Sequence, residues 1–205
     1  MTFVKICGIT NYEDALLAVD LGANALGFNF YPKSPRYIVP AEAKKIISRL
    51  PDDVWKVGVF VNSTAEQVKS IAAEAALDTL QFHGDEPIEF LSGWKPLRVI
   101  RAVRLGKGAP SFDLEAILAV ADYLLLDRYK SDEFGGTGKE IDATALEVIR
   151  PYMKRSFLAG GIKPENVAAK IKEFLPFGID TASGVEASPG KKDQALLDRL
   201  FAACL

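Results

Sequence analysis

Residues 25–62 read ALGFNFYPKSPRYIVPAEAKKIISRLPDDVWKVGVFVN. The run Ala25 to Phe30 is apolar and strand-like, and a polar, Pro-rich loop from Tyr31 to Val39 follows it. Pro40 then stands where a helix can begin, because a first-turn residue needs no N–H partner and the fixed φ of proline suits the helix. Ala43, Ile46, Ile47 and Leu50 recur on one helical face. A second apolar run, 54–61, follows within a few residues. Strand, helix and strand in that order form a parallel unit, since parallel neighbours need a crossover and the helix supplies it.

The alternation extends in both directions. Upstream, VKICGIT (4–10) is a strand run that turns at Gly8, with Thr10 placed to cap a helix, Glu13 at the capping-box position and Gly22 as the stop. Downstream, periodicity predicts strands near 79–83, 97–102, 122–127, 155–159 and 177–182, and helices near 64–76, 86–92, 111–120, 143–150, 164–174 and 191–203. These are eight strand–helix units with no composition break to mark a linker, so residues 1–205 are expected to form one domain. Eight is the number that closes a (β/α)₈ barrel. An open doubly wound sheet competes, but no Gly-x-Gly-x-x-Gly follows the first strand. The expectation is therefore an α/β fold, a (β/α)₈ TIM barrel with short loops.

Composition narrows the function. A chain of 205 residues, 49% hydrophobic, can bury one sizeable core. Its formal net charge of -2 comes without a dense charged run, which argues against a nucleic-acid or membrane surface. Cys7 and Cys204 are its two cysteines, and no charged-then-apolar leader precedes the first strand, so a cytoplasmic setting without disulfides is expected. No apolar stretch approaches the roughly 20 residues that cross a bilayer.

Barrel enzymes place their chemistry where strands end. Lys5 and Cys7 share parity on the first strand, Gln81 and His83 on the fourth, Asn29 ends the second and Asp127 the sixth. Each has a plain alternative: cysteine is usually a small buried hydrophobe, a lone histidine a hydrogen-bonded structural residue, an aspartate at a strand end a turn cap. Convergence at one rim favours chemistry. Gly160 and Gly161 after strand seven, with Ser183 and Gly184 after strand eight, occupy the two loops where barrels frequently hold a phosphate. Lys33 and Arg36 lie in the loop after strand two, and Arg36 suits a carboxylate. A long loop from Arg128 to about Ile141, with Gly135-Gly136-Thr137-Gly138, is placed to close as a lid. No His/Asp/Glu set has metal-ligand spacing, His83 being the single histidine. A sugar-phosphate epimerase using His83 and Asp127, or a silent phosphate-binding barrel, remains open at this point.

The stretches KICGIT (5–10), GFNFYPKSPRY (27–37), GVFVN (58–62), QFHG (81–84), LLLD (124–127), GGTGK (135–139), LAGGI (158–162) and SGVE (183–186) together closely resemble the phosphoribosylanthranilate isomerase family of tryptophan biosynthesis. The resemblance runs in order over nearly the whole chain. It implies a cofactor-free Amadori rearrangement of N-(5′-phosphoribosyl)anthranilate, with Cys7 as general base and Asp127 as general acid. It further implies that Arg36 holds the anthranilate carboxylate and that Gly160, Gly161, Ser183 and Gly184 bind phosphate. One departure is Glu140-Ile141-Asp142-Ala143, where the family pattern continues with aromatic residues. The implied partner is a small phosphorylated molecule; monomer and homodimer both stay open, with Phe3 and Phe174 as apolar surface candidates. A free thiol near pKa 8.5 is only a few per cent ionised at pH 7, and Lys5, on the same strand face, is expected to favour the Cys7 thiolate.

Overall fold

β1 (Phe3–Cys7) pairs in parallel with β2 (Ala25–Asn29) on one side and with β8 (Gly178–Thr181) on the other, and the second pairing shuts the sheet into a tube. Between them run β3 (Trp55–Phe60), β4 (Thr79–Phe82), β5 (Arg98–Leu105), β6 (Tyr123–Arg128) and β7 (Ser156–Leu158), so eight strands close a barrel in chain order. The computed structural model describes residues 2–105, 113–128 and 148–204.

Each barrel strand is buried on both faces, and its alternate residues join different cores. Val4, Ile6, Leu26, Phe28, Leu80, Phe82, Leu124 and Leu126 pack outward with the helices. Ala25, Val57, Ile100, Ala102, Leu125, Phe157 and Ala159 pack inside the barrel. This is why the strands read as continuous apolar runs. At the amino ends of the strands the interior is closed by aromatic rings: Phe157 meets Phe3 edge-on at 5.7 Å and Phe177 at 5.3 Å, and Tyr123 lies 4.5 Å from Phe177. An apolar floor leaves the polar inward residues to the opposite end.

Around the barrel run α1 (Tyr12–Asp20), α2 (Pro40–Ile47), α3 (Ala65–Ala75), α4 (Leu114–Val120), α5 (Val167–Phe174) and α6 (Gln194–Cys204). Pro40 opens α2 as expected, and Thr64 with Gln67 forms a complete capping box on α3. Elsewhere the elements differ from expectation. Asn11, not Thr10, caps α1, accepting from the Asp14 N–H, because the Thr10 hydroxyl is spent on the Gly190 carbonyl at 2.5 Å. The helix expected over 86–92 is one 3₁₀ turn, Ile88–Leu91. Glu86 is buried beneath the loops, accepting from the Asn62 and Gly84 N–H groups and pairing with Arg101 at 2.5 Å, so it cannot serve as a solvated helix start. Before α6 the chain makes a hairpin of β9 (Glu186–Ser188) and β10 (Lys191–Lys192), turning at Pro189-Gly190 with Gly190 at φ 81°. The helix expected over 143–150 lies mostly outside the described residues. Among the described residues no helix is long and apolar enough to cross a membrane.

Phe157 is fully buried at the centre of the floor. Phe157→Ala is expected to lower unfolding free energy by about 3–5 kcal/mol, read from urea denaturation.

Candidate active site

The inward parity of β1 brings Lys5 and Cys7 up one wall. Lys5 has no exposed surface, and its ammonium sits 2.6 Å from the carboxylate of Asp180 on the neighbouring strand β8. Burial alone would lower the Lys5 pKa, but Asp180 and Cys7 outweigh it and hold it above its ordinary value. Cys7 lies one step nearer the rim and is partly exposed. Its partner in register is Gly27, where a Cβ would stand 2.8 Å from the Cys7 sulfur, so glycine makes the room the thiol occupies. Burial pushes the Cys7 thiol up; Lys5 and Lys192 pull it down and Asp180 adds to the rise, with a net shift upward. The expected help from Lys5 is thus present, but burial outweighs it and Asp180 opposes it.

On the far wall His83 joins two groups. Its Nδ1 is 3.2 Å from the Gln81 amide nitrogen, and its Nε2 is 3.4 Å from an Asp127 carboxylate oxygen. Assigned from this geometry, the Gln81 amide donates to Nδ1, which leaves the proton on Nε2 to face Asp127. Gln81 is 1% exposed, and its own carbonyl oxygen is the buried side-chain polar atom left without a hydrogen bond among the described residues. Arg104 stands beside Asp127 in register on β5 and donates to the His83 carbonyl at 3.1 Å. The sequence reading missed Arg104 by ending the fifth strand at 102; the strand's inward parity, carried two residues further, would have found it.

Asn29 uses both ends of its amide on the following loop, accepting from the Tyr31 N–H and donating to the Ser34 hydroxyl. That loop delivers Arg36, whose stem lies against Gly8: at φ 78°, a Cβ there would meet the Arg36 Cδ at 2.5 Å. Its guanidinium forks onto Glu186, Nε at 2.9 Å and Nη2 at 2.6 Å. Glu186 in turn takes the ammonium of Lys192 at 2.9 Å, and that ammonium donates to the Cys7 carbonyl at 2.6 Å. Asp180, Glu186 and Lys192 had no expected role.

The two glycine loops form one neighbourhood. Gly160 and Gly161 take φ of 74° and 79°, and nothing lies within 4 Å of a Cβ built on Gly161. The Ile162 carbonyl accepts from the Thr181 hydroxyl at 2.7 Å and packs so closely on Gly184 that no side chain fits there. Ser183 opens a 3₁₀ turn, Ser183–Val185. Exposed backbone N–H groups on such glycine turns suit an anion. The lid segment with Gly135 to Lys139 lies outside the described residues. Among the described residues no group of three or more His, Cys, Asp or Glu is placed to hold a metal. A separate cavity of about 500 Å³ beside α1 and α2, lined by Tyr12, Tyr37 and Arg49 among others, contains none of these rim residues.

Known proteins match this chain in sequence and in fold. The family model described as N-(5′-phosphoribosyl)anthranilate (PRA) isomerase matches residues 4–203. The N-(5′-phosphoribosyl)anthranilate isomerase of Thermotoga maritima is 44% identical over 194 residues, 94% of this chain and 93% of that protein. The crystal structure of phosphoribosyl anthranilate isomerase from Thermotoga maritima superposes with a TM-score of 0.85, covering 99% of this chain and 98% of that one at 44% identity. A phosphoribosyl anthranilate isomerase solved with reduced 1-(o-carboxyphenylamino)-1-deoxyribulose 5-phosphate gives a TM-score of 0.77 at 39% identity, covering 99% and 98%. Matching from end to end in sequence and in fold, the chain belongs to the N-(5′-phosphoribosyl)anthranilate isomerase family.

Proposed function

We propose that Cys7 and Asp127 are the base and the acid with which this chain performs its family's isomerisation, the conversion of N-(5′-phosphoribosyl)anthranilate to 1-(2-carboxyphenylamino)-1-deoxyribulose 5-phosphate in cytoplasmic tryptophan biosynthesis. The observation that carries this reading is their placement around the barrel. Cys7 ends β1 and Asp127 lies at the end of β6, and the strands between them on the short way round are β7 and β8, whose loops hold the glycines. A phosphate seated on Gly160, Gly161, Ser183 and Gly184 hangs its ribose between acid and base. At the other end of the substrate, Arg36 receives the carboxylate. The ligand of the solved relative carries both groups.

The chemistry then needs one proton given and one taken. Asp127 protonates the ring oxygen, the furanose C–O bond breaks and the nitrogen lone pair forms an iminium at C1. Cys7, as thiolate, removes the C2 proton, and that electron pair moves to give the enolamine. Tautomerisation of the enolamine yields the ketone. His83, donating from Nε2, supports the Asp127 carboxylate that remains after proton transfer, and Gln81 keeps the imidazole in that tautomer.

Cys7→Ser and Asp127→Asn are each expected to lower kcat by at least about 10²-fold, the lower range for loss of acid–base catalysis, measured by the decay of anthranilate fluorescence. Near-normal turnover in either variant removes that residue from its role. A second expectation concerns the thiol. In a Cys204→Ser background, which removes the other thiol, alkylation of Cys7 by iodoacetamide is expected to keep rising with pH beyond the ordinary thiol range, because burial holds its pKa up. Asp180→Asn removes a charge that raises the pKa and is expected to shift the profile to lower pH; Lys5→Met removes one that lowers it and is expected to shift it to higher pH. Shifts of the reverse sign, or none, discard this account of the base.

A further inference from the structure

Glu186 takes no part in the proposed proton transfers, yet its side chain is only 3% exposed and is held by Arg36, Lys192 and the Gly190 N–H. One carboxylate oxygen accepts from Arg36 Nε at 2.9 Å, Lys192 Nζ at 2.9 Å and the Gly190 N–H at 3.3 Å; the other accepts from Arg36 Nη2 at 2.6 Å and Nε at 3.1 Å. Lys192 has no exposed side-chain surface and spends its remaining donors on the carbonyls of Cys7 at 2.6 Å and Ala182 at 3.4 Å. Burial would raise the Glu186 pKa, but Arg36 and Lys192 outweigh it and hold the carboxylate ionised.

The charge count of this cluster decides what it can do. A carboxylate facing one guanidinium neutralises it and competes with any anion that the guanidinium is meant to bind. Here the carboxylate faces two cations, so Arg36, Glu186 and Lys192 together keep one positive charge. The fork onto Glu186 uses Nε and Nη2 of Arg36 and leaves Nη1 out. A planar guanidinium fixed along one edge presents its remaining donors, two on Nη1 and one on Nη2, in set directions.

We propose that Glu186, compensated by Lys192, is a specificity-determining positioning residue that clamps Arg36 in the orientation receiving the substrate's aryl carboxylate, which completes a cluster of two cations and two anions. This rests on the reading of Arg36 given above. Because the same ammonium holds the Cys7 carbonyl, the clamp also fixes carboxylate recognition relative to the end of β1 that carries the base.

The test compares two substrates, N-(5′-phosphoribosyl)anthranilate and N-(5′-phosphoribosyl)aniline, which lacks the carboxylate, with product formation followed chromatographically. Glu186→Leu is expected to lower the preference for the anthranilate substrate, as the ratio of the two kcat/KM values, by about tenfold, with the change in KM and kcat held within about threefold. Glu186→Asp, which keeps the charge but shortens the reach, is expected to lower the preference by at least about threefold and guards against a Leu variant that does not fold. An unchanged preference, a rise in preference, or equal losses on both substrates overturns the proposal. Arg36→Met separates the two levels: if it leaves the preference intact, the reading of Arg36 has failed; if it abolishes the preference while both Glu186 variants keep theirs, the clamp alone has failed.

Discussion

The pairing of β1 with β8 closes the sheet, and side chains that cross or flank this seam set much of the rim. Lys5 on β1 meets Asp180 on β8 in register, and Lys192 on β10 reaches back to the Cys7 carbonyl. The first and eighth strands therefore share an ion pair as well as a ladder, and β10 adds a hydrogen bond to the end of β1. Closure also gives each strand its inside and outside, which aims Cys7, His83 and Asp127 at a common axis. Without the seam the same residues would lie along an open sheet with no shared mouth.

Those buried charges are better understood as geometry than as stability. Replacing a buried ion pair by apolar residues is often neutral, whereas removing one partner costs about 3–5 kcal/mol because a charge is left uncompensated. The exposed pairs Lys45 with Glu42 and Lys95 with Asp122 belong to the class worth about 0–1 kcal/mol. Lys5 with Asp180 and Arg36 with Glu186 and Lys192 are different: each places a cation within the influence of Cys7, and each resists being pulled apart.

The alternation of strand and helix was legible because it is local, a switch between two periods within short windows. Parity was legible too, and it correctly put Lys5 and Cys7 on the same face. What escaped was set by partners far away in the chain. Lys5 and Asp180 are 175 residues apart, Arg36 and Glu186 150, and only the closed topology makes them neighbours. The segment ASPGKK reads as a plain turn, since nothing local distinguishes the buried Lys192 from the exposed Lys191. Thr10 looked like a cap for a similar reason: its hydroxyl is claimed by Gly190, 180 residues on, so the cap passes to Asn11.

The thiol shows what the seam does for the chemistry. Burial raises the Cys7 pKa, and nearby charges of both signs keep it within reach of change rather than fixing it as a thiolate. A base held high is rarer at neutral pH but stronger once formed, and Brønsted behaviour makes that exchange favourable only if the thiolate forms beside the substrate. Arg36 interacts electrostatically with Cys7, so a carboxylate docking on Arg36 offsets part of the positive field at the sulfur. On the proposed reading a phosphate on the glycine loops adds negative charge nearby. On that reading both ends of the substrate raise the Cys7 pKa further, which makes the thiolate scarcer but more basic, and the free enzyme keeps its thiol largely protonated, where it is least reactive towards other electrophiles.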